Sequence, residues 1–423
     1  MVGLLRCSTK GASIAWSIVS RTCPTCRTKY PDDAYFCGLD GHVIVQDQDA
    51  GDFDPRVGKR MGGYIAVARV ADGATGRVYE GRHPDTKARV AIKVLHDHVV
   101  EDTVSVERFR REYETSHELD DPYLIKALEF GETGDGSYFL TMEYLEGHEL
   151  SQLLAEGPLS MARALRILCQ SALALEHAHS FGFIHRDLKP DNVFLCDTDS
   201  GPVVRLLDFG SVKLQMEIGP KLTAVGITLG SPYYMSPEQA AGAADVDARS
   251  DVFAMGAILY EMLTGKVAFD APNIALILMK IMNEQPVPAS VHCSSCPQVL
   301  DDVIERALAK EKDERYAGAL AFAQAALAAV GLPADVQRWA TSPEQELEAA
   351  LAQATPILSK PMDSAQAVTS KSSESDASPI SLSLRESSVS FRPRVPKSHG
   401  PLKVVLAVGA VVAIGLLAYF IGH

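Results

Sequence analysis

The chain has 423 residues, of which 40 are Lys or Arg and 54 are Asp or Glu, and its formal net charge at pH 7 is −14. This length suffices for one large catalytic domain or about two or three modules joined by linkers. The acidic balance opposes binding along nucleic acid, because neutralising phosphates requires a surplus of Lys and Arg on one face. We therefore expect no nucleic-acid partner.

Residues 1–19 match no module, and their apolar stretch Gly11–Val19 is too short and too rich in serine for a signal peptide. Eight cysteines spread along such a chain therefore indicate a reducing cytoplasm. Among them, Cys293 and Cys296 are expected in a structural loop, and Cys169 and Cys196 in the core.

A cysteine-rich module is predicted at residues 20–45, where Cys23-Pro24-Thr25-Cys26 is followed by Cys37. Two thiolates at this spacing can bind one metal ion, and Cys37 supplies a third. The pattern resembles half-ribbon zinc modules and implies a Zn²⁺ site. Its predicted ligands are Cys23, Cys26, Cys37 and Asp40, with His42 and Cys7 as alternatives in the fourth place. A redox or unliganded knuckle is the competing interpretation.

An Asp- and Gly-rich linker at residues 46–63 precedes a domain predicted at residues 64–330. Short β-like runs come first, at Tyr64–Val70, Arg77–Gly81, Arg89–Leu95 and Tyr138–Glu143. Helical periodicity follows at Met161–Ser180, Asp251–Thr264 and Val299–Lys310. Strands followed by helices predict an α+β fold with a small β-rich lobe and a larger helical lobe.

The most informative stretch is His185-Arg186-Asp187-Leu188-Lys189-Pro190-Asp191-Asn192, followed later by Asp208-Phe209-Gly210. It supplies a carboxylate, an ammonium, an amide and a second carboxylate in two loops. Such groups can orient a hydroxyl, neutralise a transferring phosphoryl group and hold Mg²⁺.

Further motifs surround this stretch in a fixed order: Val90-Ala91-Ile92-Lys93, Phe109-Arg110-Arg111-Glu112, Ser236-Pro237-Glu238, Ser250-Asp251-Val252-Phe253 and Arg315. Together with it they resemble the protein kinases, in particular the bacterial serine/threonine kinases of eukaryotic type, over residues 64–330. The resemblance implies a two-lobed kinase-like fold with ATP bound between the lobes.

The resemblance also implies a role for each matching position. Asp187 would orient the substrate hydroxyl and Lys189 would contact the γ-phosphate, a lysine typical of Ser/Thr specificity. Asn192 and Asp208 would hold Mg²⁺, with Mn²⁺ as an alternative. The implied ATP-binding residues are Val70, Gly73, Gly76, Val78, Ala91, Lys93, Glu112, Met142, Glu143, Leu145 and Leu195. Ser231, Glu238, Asp251 and Arg315 would support the activation segment and the catalytic loop.

The phosphate-covering loop departs from the family pattern, because Ala71 stands in place of its first glycine. A Cβ restricts φ and crowds the approach of the backbone to a nucleotide, whereas Gly73 and Gly76 keep their freedom. We therefore expect weakened, not abolished, ATP binding.

Arg186 beside Asp187 suggests control by phosphorylation, because a guanidinium can pair with a phosphothreonine. Thr223 and Thr228 are the candidate sites, and we expect autophosphorylation of one of them.

The C-terminal part is predicted to be a tether and an anchor. Residues 331–401 form a Ser-rich, mostly disordered linker with some helical character at Glu344–Ala354. The run Val404–Ile421 carries no charge and predicts a transmembrane helix at residues 402–422. Basic residues precede this run, and no acidic residue occurs after Glu386. This charge distribution favours a cytoplasmic kinase domain.

The sequence therefore predicts a membrane-associated Ser/Thr protein kinase that acts on proteins and could form a homodimer. One alternative is a pseudokinase scaffold that binds nucleotide and recruits partners, which only Ala71 favours. A small-molecule phosphotransferase is opposed by the activation segment that ends at Ser236-Pro237-Glu238.

Overall fold

The structure is a computed structural model that describes residues 21–354 apart from residues 24, 31–33, 40, 42–43, 45–53, 74, 199–200 and 209–231. Among the residues described, no helix is both long and apolar enough to cross a membrane. The helix predicted at residues 402–422 and the tail at residues 1–19 lie outside them.

Eleven strands and twelve α-helices form the described part of the chain. The strands are β1 Arg21–Thr22, β2 Lys29–Tyr30, β3 Arg60–Met61, β4 Tyr64–Asp72, β5 Gly76–Arg82, β6 Arg89–Leu95, β7 Ala127–Glu132, β8 Tyr138–Glu143, β9 Gly147–Glu149, β10 Val193–Cys196 and β11 Val203–Leu206. The helices are α1 Asp97–Val100, α2 Thr103–Glu118, α3 Leu150–Glu156, α4 Met161–Ser180, α5 Pro237–Ala240, α6 Arg249–Thr264, α7 Ile274–Asn283, α8 Ala289–His292, α9 Gln298–Ala307, α10 Ala319–Ala329, α11 Val336–Thr341 and α12 Glu344–Gln353.

The small lobe is a six-stranded antiparallel sheet in the order β3-β4-β5-β6-β8-β7. Alternate residues of β6, Val90, Ile92 and Val94, are buried on one face. The opposite face packs against α2 through Phe109. This alternation places Lys93 on the side of the sheet that α2 covers.

The larger lobe is helical, with the buried helices α4 and α6 at its centre. The side chain of Ser160 accepts a hydrogen bond from the N–H of Arg163 and caps the start of α4. A three-stranded sheet in the order β11-β10-β9 lies where the chain passes between the lobes. It positions the loops that carry Asp187 and Asp208.

The small lobe begins earlier than residue 64, where the sequence places its boundary. β3, which lies inside the predicted linker, pairs with β4 of the lobe. Asp54 is buried and accepts a hydrogen bond from the hydroxyl of Tyr79 at 2.9 Å. The last part of the predicted linker, from Asp54, is therefore built into the lobe.

The larger lobe likewise continues beyond residue 330. Trp339 on α11 is 1% exposed, and its Nε1 donates to the carbonyl of Pro333 at 2.9 Å. Gln170 of α4 donates to the carbonyl of Ala340 at 2.7 Å, and Leu347 of α12 is fully buried. These contacts extend the folded part to the end of α12, into the segment that the sequence assigned to a mostly disordered linker.

The loop expected at Cys293 and Cys296 is closed by a disulfide between these two residues. Cys169 is buried in α4, as the sequence predicted, and burial raises the pKa of its thiol to about 12. Cys196, which was predicted to lie in the core, is only half-buried at the end of β10.

Candidate active site

Lys93 on β6 lies between two carboxylates at the boundary of the lobes. Its Nζ is 2.9 Å from Oε1 and 3.1 Å from Oε2 of Glu112 on α2, and 2.9 Å from Oδ1 of Asp208. Burial opposes the charge, but the carboxylates of Asp208 and Glu112 outweigh it and raise the pKa of Lys93. Lys93 is therefore held as a cation that links the sheet, α2 and the loop after β11.

Asp208 follows β11 in a left-handed backbone conformation, with φ of 56°. Partial burial favours its neutral form, but the Lys93 ammonium outweighs that effect and lowers the pKa of Asp208. The side chain remains 47% exposed, so one edge of the carboxylate faces the space between the lobes.

The loop after α4 brings Asp187, Lys189 and Asn192 together. Nζ of Lys189 lies 2.9 Å from Oδ2 of Asp187. Nδ2 of Asn192 donates to the backbone carbonyl of Asp187 at 2.7 Å and to its Oδ2 at 3.3 Å. These contacts orient the Asp187 carboxylate, whose side chain is 41% exposed.

Asp251, which is 1% exposed at the start of α6, fixes this loop from the protein core. Its two oxygens accept the N–H groups of His185 and Arg186, each at 2.9 Å, and Nε2 of His179 lies 2.7 Å from Oδ2. Burial alone would raise the pKa of Asp251, but His179 and the backbone donors outweigh it and lower that pKa. The catalytic loop is thus anchored by a buried, ionised carboxylate.

Asn192 and Asp208 offer a suitable donor set for a divalent cation. The N–H of Leu207 donates to the carbonyl of Asn192 at 2.9 Å, so the two loops are adjacent. Because Nδ2 of Asn192 faces Asp187, its Oδ1 remains as an acceptor. An amide oxygen and a carboxylate are the hard ligands that Mg²⁺ prefers, and these residues therefore fit that ion.

The residues proposed to hold adenine line the strands next to Lys93. Met142 pairs with Ala91 across β8 and β6, and Val78 pairs with Lys93 across β5 and β6. The N–H of Glu143 already donates to the carbonyl of Lys126 at 3.0 Å and is therefore not available to a nucleotide. Beyond this strand lie the half-buried Leu145 and, on β10, the buried Leu195, while Val70 on β4 is exposed.

Ala71 does not restrict the loop in the way the sequence suggested. It pairs with Val78 as part of β4, and its φ is not positive, so a Cβ is tolerated there. A side chain is excluded instead at Gly76, where a Cβ would lie 2.3 Å from the carbonyl oxygen of Val94. The conformational argument for weakened ATP binding therefore does not hold.

The end of the activation segment is fixed by a buried ion pair. Nη1 and Nη2 of Arg315 lie 2.8 Å from Oε1 and Oε2 of Glu238, respectively. Ser250 on α6 also donates to Glu238. The remaining predicted residues of this segment, Thr223, Thr228 and Ser231, lie outside the described residues.

A second cluster lies in the N-terminal module. One ligand atom from each of Cys23, Cys26 and Cys37 falls within 4.8 Å of the others. Asp40 and His42, the candidates for a fourth ligand, lie outside the described residues. The module packs on the β5–β6 turn, where the Arg82 guanidinium lies 4.5 Å from the Tyr35 ring and the Lys87 ammonium 3.9 Å from the Phe36 ring.

Two histidines of this region were not predicted from the sequence. His179, which contacts Asp251, lies in the last turn of α4, just before the catalytic loop. Its position six residues before His185 is the sequence signal that could have identified it. His96 contacts the phosphate-covering loop but lies three residues after Lys93, in no motif. Only the folded chain brings His96 to that loop.

The family model described as "Protein kinase domain" matches residues 64–328, more than half of the chain. The chain is 38% identical to the serine/threonine-protein kinase pkn3 of Myxococcus xanthus, over 64% of this chain and 51% of that protein. It is 34% identical to the serine/threonine-protein kinase PrkC of Bacillus subtilis, over 62% of this chain and 39% of that protein.

Among solved structures, the chain resembles the kinase domain of PknI from Mycobacterium tuberculosis, with a TM-score of 0.51 and 30% identity. That match covers 64% of this chain and 97% of the PknI kinase domain. The chain spans about half or less of the length of the curated relatives named above. The shared region is the two-lobed domain that contains Lys93, Asp187 and Asp208.

Proposed function

Because the chain belongs to the protein kinase family, we propose that it is a serine/threonine kinase that transfers the γ-phosphoryl group of ATP to proteins. The observation that carries this proposal is the assembly of Lys93, Asp187, Lys189, Asn192 and Asp208 around one space between the lobes. A pseudokinase is not favoured, because the lysine and both aspartates are present and in contact with their partners.

In the proposed reaction, the Ser or Thr oxygen attacks the γ-phosphorus while the bond to the β,γ-bridging oxygen breaks, releasing ADP. Asp187 accepts the hydroxyl proton, and Lys189 neutralises charge on the transferring group. Lys93, held by Glu112, binds the other phosphates. Mg²⁺ at Asn192 and Asp208 would neutralise charge on the phosphate oxygens.

The test is phosphate transfer from γ-labelled ATP with Mg²⁺, using the full chain alone and with a general protein substrate. We expect label on Ser and Thr only, and we propose Thr223 or Thr228 as the autophosphorylated residue that pairs with Arg186. Mass spectrometry locates the sites, and the same reaction with EDTA is the control. Label on Tyr, or no label with any substrate, would contradict the proposal.

We also propose that the N-terminal module binds one Zn²⁺ through Cys23, Cys26 and Cys37, with Asp40 or His42 as the fourth ligand. Three thiols within 4.8 Å support this, since thiolates are the preferred ligands of structural zinc. In the bound state, zinc would hold Tyr35 and Phe36 against the small lobe, because both directly precede Cys37.

Metal analysis of the full chain tests the zinc proposal. We expect about one zinc per chain after purification without chelator, as for a closed structural site. Cys26→Ser should lose most of this zinc, whereas Cys196→Ser, which changes a cysteine far from the cluster, should retain it. Equal zinc in both variants would refute the assignment.

We further propose that residues 402–422 anchor the chain in a membrane, with the kinase domain in the cytoplasm. The homodimer expected from the sequence stays a prediction. The uncharged run Val404–Ile421 supports the anchor. Gly409→Arg with Ala413→Arg should abolish flotation with liposomes, at a cost of about 3 kcal/mol per charge at the bilayer centre. Ser378→Arg with Ser381→Arg adds the same charges outside the run and should leave flotation unchanged. Flotation of both variants would refute the anchor.

A further inference from the structure

His96 connects β6 to the tip of the phosphate-covering loop. Its ring Nε2 lies 2.8 Å from the carbonyl oxygen of Gly73 and 3.3 Å from Oδ1 of Asp72. Its backbone N–H donates to the carbonyl of Thr75 at 3.1 Å. One residue thus contacts three positions of the loop, through both its side chain and its backbone.

The partners of His96 determine where its proton lies. The carbonyl of Gly73 can only accept a hydrogen bond, so Nε2 must carry a hydrogen and donate it. Asp72 is a second acceptor for the same N–H. The side chain therefore acts as a donor toward the loop, and a replacement must supply an N–H at this place to preserve the contact.

Asp72 is also held from its other side. Nε of Arg77 lies 3.1 Å from Oδ2 of Asp72, and Nη1 of Arg77 lies 3.6 Å from Oδ2 of the buried Asp54. The loop carboxylate is consequently fixed between His96 and Arg77. This matters because the Arg77 guanidinium offsets the negative charge of Asp72, which would otherwise repel the phosphates of ATP.

After a bulge between Arg69 and Ala71, β4 pairs with β5 as far as Asp72 and Arg77, so the unpaired tip of the loop is the segment from Gly73 to Gly76. Within that segment the N–H of Gly73 donates to the carbonyl of Gly76 at 2.9 Å. The contacts with His96 secure the same segment to β6, the strand that carries Lys93. The loop and Lys93 are therefore both held by β6 and by the residue that directly follows it.

We propose that His96 is a positioning residue for ATP: it holds the phosphate-covering loop at a fixed place relative to Lys93 before nucleotide binds. This inference rests on the proposed kinase function, because the loop matters only when ATP is bound. A loop ordered in advance loses less conformational freedom on binding, so the contact favours ATP affinity over the rate of the chemical step.

The test compares His96→Ala and His96→Gln in the full chain, by KM for ATP, kcat and the Kd of a fluorescent ATP analogue. Loss of the hydrogen bond from Nε2 to the carbonyl of Gly73 predicts that His96→Ala raises KM and Kd by about 3–10-fold. We expect kcat to stay within about 2-fold of the parent, because the substitution leaves Asp187 and Lys189 untouched. His96→Gln keeps a side-chain N–H and should restore most of the affinity.

His98→Ala is the matched control, because it removes a neighbouring histidine and keeps the His96 side chain that contacts the loop. The His98 ring stacks on that of His96 with centroids 5.4 Å apart, so this variant also tests whether the stacking matters. It should leave KM and Kd near the parent values. Unchanged KM and Kd in His96→Ala, or an equal loss in His96→Gln, would overturn the inference. If His96→Ala fails to fold, His96→Phe, which keeps a ring but has no N–H, takes its place and should raise KM and Kd, and values near those of His98→Ala would overturn the inference.

The two proposals fail in different ways. If the parent chain transfers no phosphate but binds the analogue with an affinity that depends on His96, the kinase function is wrong and the positioning role stands. If the parent transfers phosphate and His96→Ala binds ATP as well as the parent, the positioning role is wrong and the function stands.

Discussion

Asp187→Asn is expected to lower kcat for phosphoryl transfer by about 10²–10⁴-fold, because an amide cannot accept the proton of the attacking hydroxyl. The replacement has the same shape, so it can remain beside Lys189 and Asn192, which contact Asp187 at 2.9 and 3.3 Å. The Asp251 contacts that fix the loop are not altered. We therefore expect the loss in kcat and little change in KM for ATP, measured with γ-labelled ATP.

Asp191→Asn provides the matched control for this prediction. It makes the same chemical change in the same loop, at an exposed residue in the short turn at Pro190–Asn192. This variant should transfer phosphate at nearly the parent rate. An Asp187→Asn protein that is as active as Asp191→Asn would show that Asp187 is not the proton acceptor.

Arg315→Met is expected to lower the free energy of unfolding by about 3–5 kcal/mol, because it leaves a carboxylate buried without its partner. The Arg315 side chain is fully buried, and that of Glu238 is 10% exposed. Arg315 also donates to the carbonyls of Ala309 and Lys310, which would lose these bonds. Urea denaturation of the parent and the variant measures the difference.

Two comparisons make the Arg315 prediction specific. Adding Glu238→Gln to Arg315→Met removes the unpaired charge and should recover part of the lost stability. Arg338→Met breaks a pair of the same type with Glu346, at 3.0 Å, whose side chains are about half exposed, and should cost less than about 1 kcal/mol. Equal losses for Arg315→Met and Arg338→Met would contradict the role of burial.

Much of the fold could be predicted from local pattern. The bounds of β6, β8 and α4 agree with the predicted segments Arg89–Leu95, Tyr138–Glu143 and Met161–Ser180. These elements bury apolar side chains along most of their length, so their apolar patterns can be recognised in the sequence. The motifs around Asp187 and Asp208 could be assigned for another reason, since each places several chemical groups within a few residues.

What could not be predicted depends on contacts between distant segments. Trp339 follows a segment without strong periodicity, and its burial is explained only by the packing of α11 against α4. Asp54 lies in a stretch whose Asp and Gly content favours a linker, until Tyr79 is seen to donate to it. His96 belongs to no motif, because its role arises from the approach of the loop after β4. Composition and spacing carry no information about such contacts.

The way α12 joins the larger lobe has a mechanical consequence. α12 begins beside the first turn of α4, where Nε of Arg163 lies 3.2 Å from Oε2 of Glu344. From that turn α4 runs for about 30 Å, at ~1.5 Å per residue, to the end that precedes the catalytic loop. A pull on the chain beyond Ala354 would thus be transmitted to the lobe along α12, which starts at the opposite end of α4 from Asp187.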